Sequence, residues 1–100
     1  MKNPFENLDK VLEHRLRLQI MSVLVANDSY DFISLKELLT VTDGNLATNI
    51  KSLEREKYIS ISKTFIDNKP NTRYKATERG RASFKQHLDA LEELIKQQRK

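Results

Sequence analysis

The sequence predicts a mainly α fold with one small β-hairpin, in the order α-α-α-β-β-α. Apolar residues recur with helical spacing near both ends of the chain. Between them lie a polar-faced helical segment at about 45–57 and two alternating segments separated by turn-forming residues. With 100 residues, 38% hydrophobic and 32% charged, the chain fits a single globular domain over residues 1–100.

The first helix is predicted from Phe5 or Leu8 to Val25. Asn3-Pro4 supplies a start signal and Asn27-Asp28 a stop signal. Apolar residues become almost continuous towards the end of this segment, so we expect that end to be buried.

A short second helix is predicted over Leu35–Leu39. Ser34 is a good N-cap, and Glu37 at the third helical position completes a capping box. The third helix is expected to begin between Asp43 and Asn45, with Asp43 capping its exposed amides.

The third helix is predicted to carry two different faces. Leu46, Ile50 and Leu53 form one narrow apolar stripe that we expect to dock on the core. The other side chains are mostly uncharged donors and acceptors, the types that read base edges, with Lys and Arg available for guanine or phosphate. The candidate DNA-contacting residues of this helix are Asn45, Thr48, Asn49, Lys51, Ser52 and Arg55. In an average domain such a face is simply solvated surface.

A β-hairpin is predicted over residues 59–76. Ile59, Ile61 and Phe65 should point to one face of its first strand, and Asp67–Asn71 is turn chemistry before a second strand at 72–76. The polar and basic side chains predicted to contact phosphate or the minor groove are Lys63, Lys69, Asn71, Arg73 and Lys75, with Lys69 and Arg73 the strongest candidates. Charged hairpins also resist edge-to-edge aggregation, which is the alternative reason for these cations.

The net charge of +4 is concentrated on these two segments. Residues 1–43 sum to −2, residues 44–81 to +5 and residues 82–100 to +1. A basic stripe on one part of the chain is the electrostatic footprint expected of a nucleic-acid-binding protein. A polar-faced helix followed by a basic hairpin is the layout of a winged helix-turn-helix domain, whose helix enters the major groove.

The last helix is predicted over residues 78–98, capped by Thr77. Its apolar side chains follow the spacing of a helix-pairing seam, on a helix about as long as the domain is wide. The seam could pack on the first helix of its own chain. We expect instead that a second copy covers it, giving a homodimer whose interface includes Phe84, Leu88, Leu91, Leu94 and Ile95.

The remaining features argue against other classes of protein. There is no Cys, no phosphate-binding Gly loop and no nucleophile motif, so we expect neither an enzyme nor a cofactor. His14 and His87 have no second ligand at helical spacing, which argues against a metal site. The longest uncharged apolar run is too short to span a bilayer and the start has no signal core, which favours a cytoplasmic protein without a membrane partner.

Four segments together resemble the short MarR/ArsR-like winged-helix transcriptional regulators of prokaryotes: residues 8–24, 35–39, 43–54 and 74–81. The most specific are Asp43-Gly44-Asn45-Leu46 and Thr77-Glu78-Arg79-Gly80-Arg81. The resemblance implies a dimer with the third helix of each subunit in successive major grooves. Two features depart from the family: Lys57-Tyr58 stands where many relatives have Gly before the strand, and the chain is shorter than ligand-sensing relatives. Because of the second, the resemblance leaves open whether a small-molecule effector binds.

These observations favour a regulator that binds duplex DNA as a homodimer on a two-fold operator, as a repressor. The other classes are a winged helix that binds or scaffolds proteins and, third, an RNA-binding module. Steep salt dependence with duplex DNA separates the first two, and competition by single-stranded RNA identifies the third.

Overall fold

Four α-helices and a three-stranded antiparallel sheet make up the computed structural model, which describes residue 3 and residues 5–98. The strands lie in the order β1-β3-β2. The predicted fold class is confirmed, with β1 as an additional strand. The elements are α1 (Arg15–Ala26), β1 (Tyr30–Asp31), α2 (Phe32–Leu39), α3 (Asp43–Arg55), β2 (Ile59–Ile66), β3 (Lys69–Ala76) and α4 (Glu78–Gln98).

The first helix begins at Arg15, so its predicted start at Phe5 or Leu8 is wrong. Asp9 begins a separate short turn, because its Oδ1 accepts the amide of Val11 at 2.8 Å and its carbonyl accepts the amides of Leu12 and Glu13 at 3.0 Å, and the extended backbone of His14 interrupts the chain before Arg15. His14 then caps α1 by accepting the amide of Arg17 at 3.4 Å. Pro4, half of the predicted start signal, lies outside the described residues.

The second helix begins three residues earlier than predicted, at Phe32. Asp31 is the N-cap in place of Ser34, and its Oδ2 accepts the amide of Ser34 at 3.2 Å. Asp caps a helix about as well as Ser, and its negative charge also favours the positive end of the helix. Hydrogen bonds from Ser34 lower the pKa of Asp31, against the raising effect of its partial burial.

The core is built around α1, whose predicted burial near the C-terminal end is confirmed by Ile20, Met21 and Leu24 at 0% exposure. The sheet and α3 pack around this helix. The remaining buried hydrophobic residues of the cluster are Leu12, Leu16, Leu35, Leu46, Ile50, Leu53, Tyr58, Ile59, Tyr74 and Ala76.

The last helix has the predicted extent and the predicted cap. The amide of Gly80 donates to Thr77 Oγ1 at 3.0 Å, and that hydroxyl donates to the Lys57 carbonyl at 2.7 Å. Gly80 is needed at this crossing, because an added Cβ would lie 2.1 Å from the Tyr58 carbonyl oxygen. Thr77 and Gly80 therefore fix α4 against the start of the hairpin. No helix within residues 3 and 5–98 is long and apolar enough to cross a membrane.

Candidate nucleic-acid interface

Thr42 is the N-cap of α3, in place of Asp43, which the sequence predicted as the cap. Its Oγ1 accepts the amide of Asn45 at 3.2 Å. Asp43 lies in the first turn, where a carboxylate favours the positive end of the helix. Lys36 of α2 pairs with this carboxylate at 2.7 Å, so the negative charge at the start of α3 is compensated.

A left-handed residue ends α3 and turns the chain into the hairpin. Lys57 has φ 63°, its amide donates to the Glu54 carbonyl at 2.9 Å, and the Tyr58 amide donates to the Leu53 carbonyl at 2.9 Å. These two bonds form a Schellman motif, in which Gly is the preferred left-handed residue. The helix thus begins at Asp43, within the predicted range of starts, and ends at Arg55, two residues before the predicted end at Lys57.

The two predicted faces of α3 are largely confirmed. Leu46, Ile50 and Leu53 are buried, with exposures of 0%, 3% and 0%. The polar side chains on the other side are open to solvent: Asn45, Thr48, Lys51 and Arg55 are exposed and Ser52 is half-buried. The Ser52 hydroxyl donates to the Thr48 carbonyl at 3.2 Å, which leaves its oxygen free to accept a bond from outside.

The prediction that Asn49 lies on the exposed face is wrong. Asn49 is only 5% exposed, and its Nδ2 donates to the Asn45 carbonyl at 2.9 Å. Its Oδ1 accepts from Arg17 Nη1 at 3.4 Å, so this side chain ties α3 to α1. The spacing contains the signal, since residue 49 is three positions after Leu46 and four before Leu53 and so adjoins the apolar stripe.

The same Arg17 extends the tie to the N-terminal segment. Its Nε donates to the Val11 carbonyl at 2.7 Å. Sequence reasoning missed this residue because a charged side chain on a helix ordinarily points to water. Arg17 therefore holds both α3 and residues 5–14 in place without lying on the polar face.

The hairpin spans the predicted residues 59–76, but its strands are longer and its turn is tighter than predicted. All eight residues of β2 pair with β3, from Ile59 with Ala76 to Ile66 with Lys69. Asp67 and Asn68, with φ 52° and 62°, make the two-residue turn in place of the predicted 67–71. Asp and Asn tolerate the left-handed conformation that such primed turns require.

The inner half of the hairpin packs on the helices and the outer half extends beyond them. Ile59 and Tyr74 are buried, whereas Phe65 on the same side of the sheet is 75% exposed. Phe65 lies on the predicted side of the strand with Ile59 and Ile61, but the core ends before residue 65 and leaves its ring exposed. Lys63, Lys69 and Lys75 are exposed, as the prediction of contacting cations requires.

Arg73 lies in the middle of β3, and its guanidinium makes hydrogen bonds within its own chain. Its Nε donates to Ser29 Oγ at 2.9 Å and its Nη2 to the Ser29 carbonyl at 3.3 Å, while Nη1 lies 4.0 Å from Asp31 Oδ1. The unpredicted strand β1 pairs Asp31 with Arg73 and creates these contacts. Arg73 is thus a support for the sheet and no longer one of the strongest candidates for DNA contact.

Asn71 is also placed differently from the expectation of a tip residue. It is half-buried and lines a groove with Asp31 and Phe32 at the start of α2. Its Oδ1 is buried without a hydrogen-bond partner in the described part of the chain. Its backbone carbonyl accepts from Thr64 Oγ1 at 3.5 Å. Asn71 therefore lies against the start of α2 and not at the exposed end of the hairpin.

Two tyrosines lie where α3 meets the hairpin. Burial raises the pKa of Tyr58, and so does its hydrogen bond to the Asp9 carboxylate. Arg79 stacks over the same ring, 5.7 Å from its centre. Burial, together with the charge of Glu54, raises the pKa of Tyr74. Both rings are therefore neutral at physiological pH and serve as packing groups.

The apolar seam of α4 divides between the chain's own core and solvent. His87 is buried, with its Nδ1 accepting the Asp9 amide at 2.9 Å, and Phe84 packs against the core. Leu88 and Ile95 are 43% and 55% exposed, and Leu91 and Leu94 are half-buried. The expectation that Phe84 faces outwards is therefore not supported, whereas Leu88 and Ile95 are open.

The two histidines have structural partners within the chain, as the cap of α1 and the acceptor for Asp9. Over residue 3 and residues 5–98, no group of three or more His, Cys, Asp or Glu side chains is placed to hold a metal ion. The exposed chemistry of the site is accordingly hydrogen-bonding side chains on α3 and cations on the hairpin.

The comparison with protein families matches residues 16–95 to the winged helix DNA-binding domain. The chain belongs to this family. A protein of Methanocaldococcus jannaschii described as uncharacterized is 32% identical over 87 residues, which are 87% of this chain and 95% of that protein.

Solved structures share the fold. A transcriptional regulator homologue from Pyrococcus horikoshii is 29% identical with a TM-score of 0.83, covering 90% of this chain and 89% of that one. The YusO protein of Bacillus subtilis is 15% identical with a TM-score of 0.78, over 96% of this chain and 67% of that one, and shows the fold alone. The resemblance to MarR-like winged-helix regulators is confirmed.

Proposed function

We propose that this protein is a transcriptional regulator that binds specific duplex DNA as a homodimer on a two-fold symmetric operator. One observation carries the proposal: α3 turns a polar face that is mostly uncharged to solvent directly before a basic hairpin. The hairpin at residues 59–76 holds four basic residues and one acidic residue. The likeness to a protein described as a transcriptional regulator homologue supports the same conclusion.

In this proposal α3 enters the major groove. Asn45, Thr48 and Ser52 present amide and hydroxyl groups that match base edges, and Lys51 and Arg55 supply contacts to guanine or phosphate. The buried stripe and the tie through Asn49 hold the helix rigidly, so little conformational freedom is lost on binding.

The lysines of the hairpin contact phosphates beside the same groove. Lys63, Lys69 and Lys75 are exposed, and their charges favour DNA of any sequence. The hairpin would therefore supply affinity and α3 would supply sequence preference.

The exposed part of the α4 seam is the proposed dimer contact. Leu88 and Ile95 are apolar, exposed and seven residues apart on one helix, which is the spacing of a two-helix seam. A two-fold dimer would place two copies of α3 about one helical turn of DNA apart. Such a dimer occludes its operator, and we therefore propose repression.

Salt dependence of duplex binding tests the DNA proposal. Lys51→Ala and Lys69→Ala should each weaken binding and lower the salt slope by roughly one per lost phosphate contact. Lys85→Ala is the matched control, because Lys85 is exposed on α4 and pairs with Asp89 at 2.7 Å. Unchanged affinity in both variants, or tighter binding of single-stranded RNA than of duplex, would contradict the proposal.

Sedimentation tests the dimer. We expect a dimer at micromolar concentration that Leu88→Glu converts into a folded monomer, because an apolar interface leaves a carboxylate desolvated and unpaired. Leu88 suits this test better than the half-buried Leu91, which lines a groove with Leu8 and Leu12 of its own chain. Gln86→Glu adds the same charge at an exposed position of α4 and should remain dimeric. A monomeric wild-type protein would show that the seam belongs to its own chain only.

A further inference from the structure

The outer end of the hairpin carries an apolar tip that the proposed phosphate contacts do not use. Phe65 and Ile66 are 75% and 51% exposed, and Pro70 is exposed beside them. Phe65 and Pro70 are direct partners in the β2–β3 register, so their side chains lie next to each other on one face. Ile66 pairs with Lys69 and lies on the opposite face.

This tip is held in a defined position. The ladder between β2 and β3 continues without interruption to Ile66 and Lys69, and the turn at Asp67 and Asn68 is the two-residue type that suits the twist of a hairpin. An exposed aromatic ring on a paired strand is therefore presented rigidly, several residues beyond the last buried side chains. Such an arrangement is suited to insertion into a partner.

The charges around the tip indicate what that partner is. Lys63 lies on the same face as Phe65, Lys69 lies on the opposite face, and the turn between them carries Asp67, the one acidic residue of the hairpin. An apolar group between two cations matches a narrow groove with phosphates along both edges and stacked bases at its floor. The minor groove of duplex DNA is about 6 Å wide, and inserted Phe or Pro side chains there unstack base steps and kink the duplex.

We propose that Phe65 inserts into the minor groove next to the α3 contact and wedges partly between two base pairs, with Pro70 beside it. This inference rests on the proposed function and deepens it, because it makes Phe65 a specificity-determining residue. Pyrimidine–purine steps unstack most readily, so the positions under the hairpin tip would favour such steps without a hydrogen bond to any base.

The test compares Phe65→Ala, Phe65→Leu and Ile66→Ala on one duplex selected by the wild-type protein. Affinity is measured at several salt concentrations, and DNA bending is measured with circularly permuted fragments. Phe65→Ala should weaken binding about tenfold and reduce the bend, with an unchanged salt slope because no charge is lost. Phe65→Leu keeps an apolar side chain at this position and should retain most of the affinity and most of the bend. Ile66→Ala, an apolar truncation on the opposite face, should behave as wild type.

A second measurement locates the wedge. A 2-aminopurine placed at the step under the tip should gain fluorescence when wild-type protein binds and should not gain it with Phe65→Ala. Equal binding and bending by wild type and Phe65→Ala would overturn the inference, as would an equal loss in Ile66→Ala. So would a change of oligomeric state in Phe65→Ala, which would mean that a second copy covers the tip. Failure of the wild-type protein to bind any duplex would instead overturn the proposed function itself.

Discussion

Helix α3 and the outer half of the hairpin are both exposed, but they are positioned in opposite ways. The helix is fixed from within, because its three apolar side chains Leu46, Ile50 and Leu53 are buried and Asn49 is tied to α1. Beyond residue 63 the hairpin is fixed mainly by its own backbone ladder and turn, and its β3 strand touches the start of α2 only along the groove that Pro70 and Asn71 line. In the proposed function, sequence readout therefore belongs to a part that the core holds, whereas groove insertion belongs to a part that reaches away from the core.

The largest effect on stability should follow from truncating a buried side chain that holds α3 on the core. Leu46→Ala removes a side chain with 0% exposure and leaves a cavity, so the free energy of unfolding should fall by about 2 to 5 kcal/mol. Leu38→Ala, at a position 55% exposed on α2, is the control and should cost less than about 0.5 kcal/mol. Urea denaturation measures both. Equal losses in the two variants would mean that α3 is not anchored through this stripe.

The stability of the protein should be nearly as sensitive to a substitution of Gly80, where α4 crosses the base of the hairpin. An alanine Cβ there would meet the Tyr58 carbonyl oxygen at 2.1 Å, and relieving that overlap should cost about 1 to 3 kcal/mol. Gly44→Ala is the matched control in the first turn of α3, where an added Cβ meets nothing within 4 Å. Thermal unfolding should show a lower melting temperature for Gly80→Ala only. An unchanged melting temperature would show that α4 does not hold the hairpin base this closely.

Stability should also depend on the protonation of Tyr58, which joins the hairpin base to the N-terminal segment through Asp9. The pKa of Tyr58 in the folded protein is raised above its ordinary value of 10.0, so its contribution is complete below about pH 10 and is lost as pH rises through the higher folded value. Denaturation from pH 8 to 11 should show this fall, and Tyr58→Phe should show a smaller one. A Tyr58→Phe protein with the same pH dependence would contradict the assignment.

The smallest expected effect is a gain in stability at Lys57, where α3 joins the hairpin. Lys57 adopts φ 63°, where glycine is unstrained, so Lys57→Gly should stabilise the protein by about 0.5 to 1 kcal/mol. The hydrogen bonds of the Schellman motif use only backbone groups and should survive the change. A loss of stability in urea denaturation would show that the Lys57 side chain itself contributes to this end of α3.

Much of this arrangement could be predicted from the sequence, because it follows from local patterns. The stripe of Leu46, Ile50 and Leu53 and the cap at Thr77 depend on residue type and spacing alone, and both predictions were confirmed. The placements of Asn49 and Arg73 were missed because long-range partners decide them: Arg17 for the first and the two-residue strand β1 for the second. A strand of two residues has too little periodicity to be recognised.

Phe65 illustrates the remaining limit. Alternation along β2 correctly places it on the same side as Ile59. Alternation gives the side of the sheet but not how far the core extends under it. Only the packing of the helices shows that Phe65 lies beyond that core.

Selection of binding sites from a random duplex pool tests the central claim, that the exposed face of α3 reads DNA sequence in a two-fold dimer. For the wild-type protein we expect enriched sites with two-fold symmetry and half-sites about ten base pairs apart. Thr48→Ala, which removes an exposed uncharged side chain from α3, should change the preferred base at one position of each half-site. No enrichment with the wild-type protein, or a Thr48→Ala pool that matches it base for base together with the pools of Asn45→Ala and Ser52→Ala, would contradict the account.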